Sequence, residues 1–148
     1  MNEHEKFINI CETLSVMSKC VSHKVAAIIV KEGTIISTGI NGTPSKYKNC
    51  RDVFIDYNPE TDRERHKLFS DKFEIHGEKA AINNAAKFGI SINGCTLYSL
   101  YQPCFQCLKD IISAGIKTIV YKYSYDRIEN KEEWHSFAAQ FLQIKQVN

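Results

Sequence analysis

No stretch of the 148-residue chain approaches the roughly 20 consecutive apolar residues of a membrane-spanning helix. The opening Met1-Asn2-Glu3-His4-Glu5-Lys6 also lacks the basic start and apolar run of an export signal, so a cytoplasmic protein is expected. There is no lysine or arginine run. The 19 basic residues stand against 17 acidic ones, leaving +2, and the signs are interleaved. That balance argues against an electrostatic track for nucleic acid but suits a small anionic ligand, which needs only one or two cations. Repeats and linker-like stretches are missing too, so one domain over residues 1–148 is expected, with an ordinary 43% hydrophobic and 24% charged composition. Among six cysteines there is a single Cys-x-x-Cys, Cys104 to Cys107, where a zinc ribbon would need two. In a reducing compartment that pair reads as metal chemistry rather than as part of a disulfide framework. Cys11 and Cys95 read as buried thiols.

Periodicity supplies the elements. Phe7, Ile10, Cys11, Leu14 and Met17 recur at helical spacing over about residues 3–18. The unbroken run Val25 to Val30, then Lys31-Glu32-Gly33-Thr34 and Ile35 to Gly39, predicts a β-hairpin whose first strand is buried on both faces. Asn41 to Ser45 is turn chemistry and opens a long polar stretch reaching Phe73, with a short helix expected around 63–69. An alanine-rich helix over 78–88 stops at Gly89. A strand over 96–100, a helix over about 104–113 begun at Pro103, a strand over 117–121, a helix over 131–141 and a short strand over 142–147 complete the chain. Alternating helices and strands after the hairpin predict an α/β three-layer sandwich, with a mixed central sheet of about five strands whose later members are parallel.

His76-Gly77-Glu78 and Pro103-Cys104-Phe105-Gln106-Cys107 carry the chemistry. One imidazole and two thiolates fill three of the four tetrahedral positions of zinc, leaving the fourth for a water that the ion acidifies. Glu78 is too close in sequence to His76 to be a comfortable fourth ligand but is well placed to move that water's protons. Two helix starts converging on one ion would favour the thiolates through their dipoles. A closed structural zinc site and a thioredoxin-like redox pair remain open as plainer readings, although the second explains neither His76 nor Glu78.

The pairing of H-x-E with P-C-x-x-C resembles the zinc-dependent nucleobase deaminases. Further matches are Ser18-Lys19-Cys20, Lys24-Val25, Gly39-x-Asn41-Gly42-x-Pro44, Asn49-Cys50, Ala114-Gly115-Ile116-Lys117 and Tyr125-Asp126. Together they make most of the chain similar to the deoxycytidylate (dCMP) deaminases of phages and other viruses, within the cytidine deaminase superfamily. The resemblance implies zinc on His76, Cys104 and Cys107, and Glu78 shuttling protons while dCMP is hydrolysed to dUMP and ammonia, supplying the precursor of dTMP. It implies substrate contacts from Gly77, Asn41, Lys24 and Tyr125, with Lys46, Lys48 and Arg51 as other cations in the same region. A plain turn is the alternative for Asn41-Gly42.

The same resemblance implies a second, structural zinc on Cys20, Cys50, His66 and Glu74, which would pin the long polar stretch. Without a metal these would be buried thiols, a surface histidine and part of a helix cap. It further implies a homo-oligomer, a hexamer, regulated by dCTP and dTTP with Mg2+, in the cytoplasm of a virus- or phage-infected host cell. Where relatives read His-Ala-Glu-x-Asn-Ala-Ile, this chain has Gly77 and Ala80. Activity on dCTP as well as dCMP, on nucleosides, or on nucleic acid are the alternatives. Tyr47, Phe54 and Tyr57 lie near lysines as a strand-binding groove would need, but with acidic residues among them.

Overall fold

A computed structural model describes residues 1–148. Eleven elements follow in order: α1 (Glu3–Ser15), β1 (Ala26–Lys31), β2 (Thr34–Ile40), α2 (Cys50–Val53), α3 (Pro59–Phe73), α4 (Gly77–Lys87), β3 (Thr96–Tyr101), α5 (Phe105–Ser113), β4 (Thr118–Tyr123), α6 (Lys131–Ala139) and β5 (Gln143–Gln146). The strands form one sheet in the order β2-β1-β3-β4-β5. β1 runs antiparallel to β2 and to β3, and β3, β4 and β5 are parallel. No helix is long and apolar enough to cross a membrane.

Strand alternation divides the sheet's side chains between two cores. Ala27, Ile29, Leu97, Ile119 and Tyr121 pack against Ala81 and Ala85 of α4, Leu108 and Ile111 of α5, and Trp134 and Ala138 of α6. On the other face Ile28, Val30, Tyr98, Leu100 and Val120 pack against Ile8 and Cys11 of α1. The period-2 switch along β1 explains its continuous apolar sequence: each face of the strand meets a helical layer. The β1–β2 turn uses Glu32 and Gly33, both at positive φ (50° and 77°), the conformation a two-residue hairpin turn requires. Trp134 is fully buried and its indole N–H donates to the Pro103 carbonyl at 2.7 Å, tying α6 to the residue before Cys104. Replacing Trp134 by Phe leaves that carbonyl unpaired and should cost about 2 kcal/mol, measured by denaturant titration.

Three expectations need adjustment. The buried face of α1 is Ile8, Cys11 and Ser15, flanked by half-buried Phe7 and Leu14, while Ile10 and Met17 point outward. The stripe is rotated by about one residue and the helix ends at Ser15, beyond which the Ser18 hydroxyl donates to the Asn41 carbonyl at 3.1 Å. The polar stretch after Thr43 is mostly helical: α3 has 15 residues, with Asn58 as N-cap and Pro59 in its first turn. The same stretch has an apolar core of its own, in which Phe54 and Phe69 pack on Cys20 and Cys50 while the Phe54 ring meets the His66 ring edge-on. Finally, α6 stops at Ala139, and Phe141 is exposed.

Candidate active site and metal centres

His76 is the N-cap of α4 and Cys104 the N-cap of α5. Neither side chain caps its own helix, so both are free to turn toward a common point. Cys107 lies one turn into α5 and is buried. His76 Nδ1 stands 3.6 Å from Cys104 Sγ and 3.4 Å from Cys107 Sγ. A tetrahedral ion with zinc–sulfur and zinc–nitrogen bonds of ordinary length sets such atoms about 3.5 Å apart, so the three donors already have the spacing zinc requires. Their charges agree. The hydrogen bond between the two thiols holds that of Cys104 well below its usual range and pushes that of Cys107 up. The bond to Cys104 raises the His76 imidazole. Each of these protons must leave before a cation binds, so affinity falls as pH falls.

Glu78, one residue into α4, is 5% exposed, and its Oε1 accepts from Ser99 Oγ at 2.7 Å. Burial of a carboxylate carries a desolvation cost, which this hydrogen bond offsets in part. α4 can lie against the sheet because β2 carries Gly39, where a β-carbon would overlap the Ala81 amide nitrogen and the Gly77 carbonyl oxygen. At Gly77 a β-carbon would come 3.2 Å from the Val25 carbonyl oxygen, tight against the chain leading into β1.

A cleft of about 440 Å³ opens over this centre, a volume that suits a small ligand. His76, Gly77, Glu78 and Cys104 line it, together with Asn41, Tyr101, Gln102 and Tyr125. Asn41 is held as a brace: its Oδ1 accepts from Val25 N at 2.9 Å and its Nδ2 donates to the His23 carbonyl at 2.7 Å. Burial raises the Tyr125 phenol. Lys24 does not border the cleft, nor do Lys46, Lys48 and Arg51. The cations that do are Lys67 of α3 and Arg127. Arg127 follows directly on the Tyr125-Asp126 pair, the one sequence signal that could have pointed to it. Lys67, His23 and Gln102 had none. Ala80 lies off the cleft, in a separate depression with Gly39, Gly42 and Asn84.

The second four-residue set also comes together. Cys20 Sγ is 3.5 Å from His66 Nε2 and 3.6 Å from Glu74 Oε1, and His66 Nε2 is 3.6 Å from the same oxygen. Cys50 completes the group, with all ligand atoms within 4.8 Å of one another. Burial pushes the Cys50 thiol up to about 12, raises that of Cys20 and lowers the His66 imidazole. Glu74 Oε2 is buried without a partner. Two thiols, an imidazole and a carboxylate with no open position have the composition of a structural zinc site, and the Cys20, His66 and Glu74 spacings fit one.

Fold and site together define a metal-dependent hydrolase of the nucleobase-deaminase class. The chain belongs to the family described as the cytidine and deoxycytidylate deaminase zinc-binding region, whose model matches residues 1–123. It is similar to the deoxycytidylate deaminase of Enterobacteria phage T4, at 38% identity over 86% of this chain and 80% of that protein. It also resembles the dCMP deaminase of cyanophage S-TIM5, solved in complex with dCMP and dUMP. There the TM-score is 0.76 and the identity 31%, over 97% of this chain and 95% of that one. A Thermotoga maritima bifunctional deaminase/reductase shares the fold at TM-score 0.67 and 22% identity, over 97% of this chain and 36% of that one.

Proposed function

We propose that this chain deaminates dCMP to dUMP with release of ammonia, as a phage-type dCMP deaminase. The observation that carries the reading is the convergence of His76, Cys104 and Cys107 beside the buried Glu78, under a cleft that also holds cations. Similarity to the phage T4 enzyme and to the cyanophage enzyme bound to dCMP and dUMP supports the choice of substrate.

His76, Cys104 and Cys107 would hold a zinc ion, which when bound would supply an acidified water as the nucleophile at neutral pH. Glu78 is placed to take a proton from the attacking water and give it to N3 of the cytosine as C4 is hydrated. Glu78 then carries the second proton to the exocyclic amine, which leaves as ammonia while the new C4 carbonyl forms. The Gly77 amide receives the O2 carbonyl of the base. Asn41, already fixed by His23 and Val25, retains a second amide hydrogen for the sugar hydroxyl. Tyr125 supplies a face against which the nucleotide packs. The phosphate falls to Arg127 and Lys67 rather than to Lys24, since only the first two border the cleft.

Ammonia release from dCMP, deoxycytidine and dCTP tests the substrate assignment. Turnover of dCMP at well above the deoxycytidine rate is expected, and equal kcat/KM for the two would remove the phosphate from the account. Arg127→Ala should raise KM for dCMP about tenfold, the scale of one lost charge-assisted contact, while leaving kcat within about twofold.

Cys20, Cys50, His66 and Glu74 hold a second zinc with a structural role. It would clamp the residues before β1 to α2 and α3, whose small aromatic core alone offers little burial. Elemental analysis should give two zinc ions per chain. Cys50→Ser should leave one, lower the melting temperature and preserve the Glu78-dependent chemistry, whereas one zinc in the unmutated protein would remove the structural site.

A further inference from the structure

Ser99 is a polar residue in a place built for an apolar one. On β3 the side chains of Leu97 and Ser99 face the α4 and α5 layer, and Tyr98 and Leu100 face α1. Leu97 joins the large core, and the cross-strand partner of Ser99 is Ala27, itself fully buried. Ser99 is also fully buried. Placing a hydroxyl there carries a desolvation cost unless it is bonded, and its one side-chain hydrogen bond goes to Glu78 Oε1 at 2.7 Å. The strand lies at the centre of the sheet, paired on both sides with β1 and β4, which fixes the backbone that carries the Ser99 oxygen.

We infer that Ser99 is a positioning residue for proton transfer: its hydroxyl locks one oxygen of Glu78 and thereby aims the other, Oε2, at the reacting atoms. This rests on the reading of Glu78 as the proton carrier. A carboxylate turns about its last bond through a broad, shallow potential, so a buried Glu without a fixed partner samples orientations in which neither oxygen reaches both water and base. Ser99 engages Oε1, Glu78 borders the cleft, and the Cys107 thiol also lies near enough to the carboxylate to be raised by it. A single donor on Oε1 therefore divides the labour between the two oxygens, one holding and one moving protons. Proton transfer is steeply sensitive to such alignment, whereas substrate binding is not.

The test compares Ser99→Thr with Ser99→Val in the zinc-loaded protein, acting on dCMP. The two replacements have nearly the same volume and differ by the hydroxyl, so any overpacking in the closed core is common to both. Expected is a kcat for the Thr variant about tenfold above that of the Val variant, with KM within twofold and equal zinc content and melting temperature. Ser99→Ala should resemble the Val variant in losing kcat at constant KM. Equal kcat for Thr and Val, or a difference matched by lost zinc or by a parallel rise in KM, overturns the positioning role. Glu78→Gln run alongside separates the two layers. If it keeps turnover, the proton-carrier reading fails. If it loses turnover while Thr and Val stay equal, only the inference about Ser99 fails.

Discussion

Glu78→Gln should lower kcat for dCMP by roughly 10³-fold, within the range found when a positioned acid-base group is removed. Glutamine keeps the shape of the side chain, and its Oε1 can still accept from Ser99, so helix α4 and the metal donors stay in place. What it loses is the capacity to take a proton from water and deliver it to the base. Zinc content and the affinity for dUMP should therefore be unchanged, and KM for dCMP should move little. That pattern, kcat falling while binding persists, distinguishes a proton carrier from a residue that shapes the cleft. Turnover within tenfold of the unmutated protein would assign the chemistry to another group.

A second large effect is expected far from any titratable atom, at Gly39. A β-carbon there would overlap two backbone atoms of α4, from Ala81 and Gly77, and stand 2.8 Å from the Ala80 carbonyl carbon. Backbone atoms in the first two turns of a helix cannot yield singly, so α4 would be displaced as a body. Gly39→Ala should cost about 3 kcal/mol, lowering the melting temperature by roughly 10 °C for a chain of this size. Because α4 begins with His76 and Glu78, the same displacement should cut activity more than the stability loss explains. Gly42→Ala is the internal control: a β-carbon there meets nothing within 4 Å, and near-wild-type stability is expected. Equal melting temperatures for the two variants would show that β2 and α4 are not packed as described.

Much of the architecture was legible because hydrophobic periodicity is a local signal. The continuous run of β1, the hairpin turn at Glu32-Gly33 and the alternation of strand and helix after Cys95 all follow from neighbours in sequence. Tertiary partners decided what periodicity missed. The α1 stripe shifts because the sheet selects Ile8 and Cys11 over Ile10. Helix α3 was hidden by its polar sequence, since only His66 and Phe69 of its fifteen residues are buried. The meeting of His76 with Cys104 and Cys107, and of Cys20 and Cys50 with His66 and Glu74, was approachable from residue type, because metal chemistry admits few donors. The proposed phosphate partners were not, since an exposed lysine carries no mark of whether the folded chain turns it toward the cleft. Lys24 lies off the cleft, whereas Lys67, forty-three positions later, borders it. Gly39 was visible as part of a turn motif, but its close approach to α4 belongs to the packed structure alone.

Hydrolysis of dCMP at the centre formed by His76, Cys104 and Cys107 is expected only with zinc bound there. Its most direct measurement is dUMP formation by the purified protein before chelation, after exhaustive chelation and after zinc is returned. Formation of dUMP with one equivalent of ammonia, its loss on chelation and its recovery with zinc are the expected results. Undiminished conversion by protein shown to contain no metal, or no dUMP from protein with His76, Cys104 and Cys107 intact and zinc bound, would contradict the account.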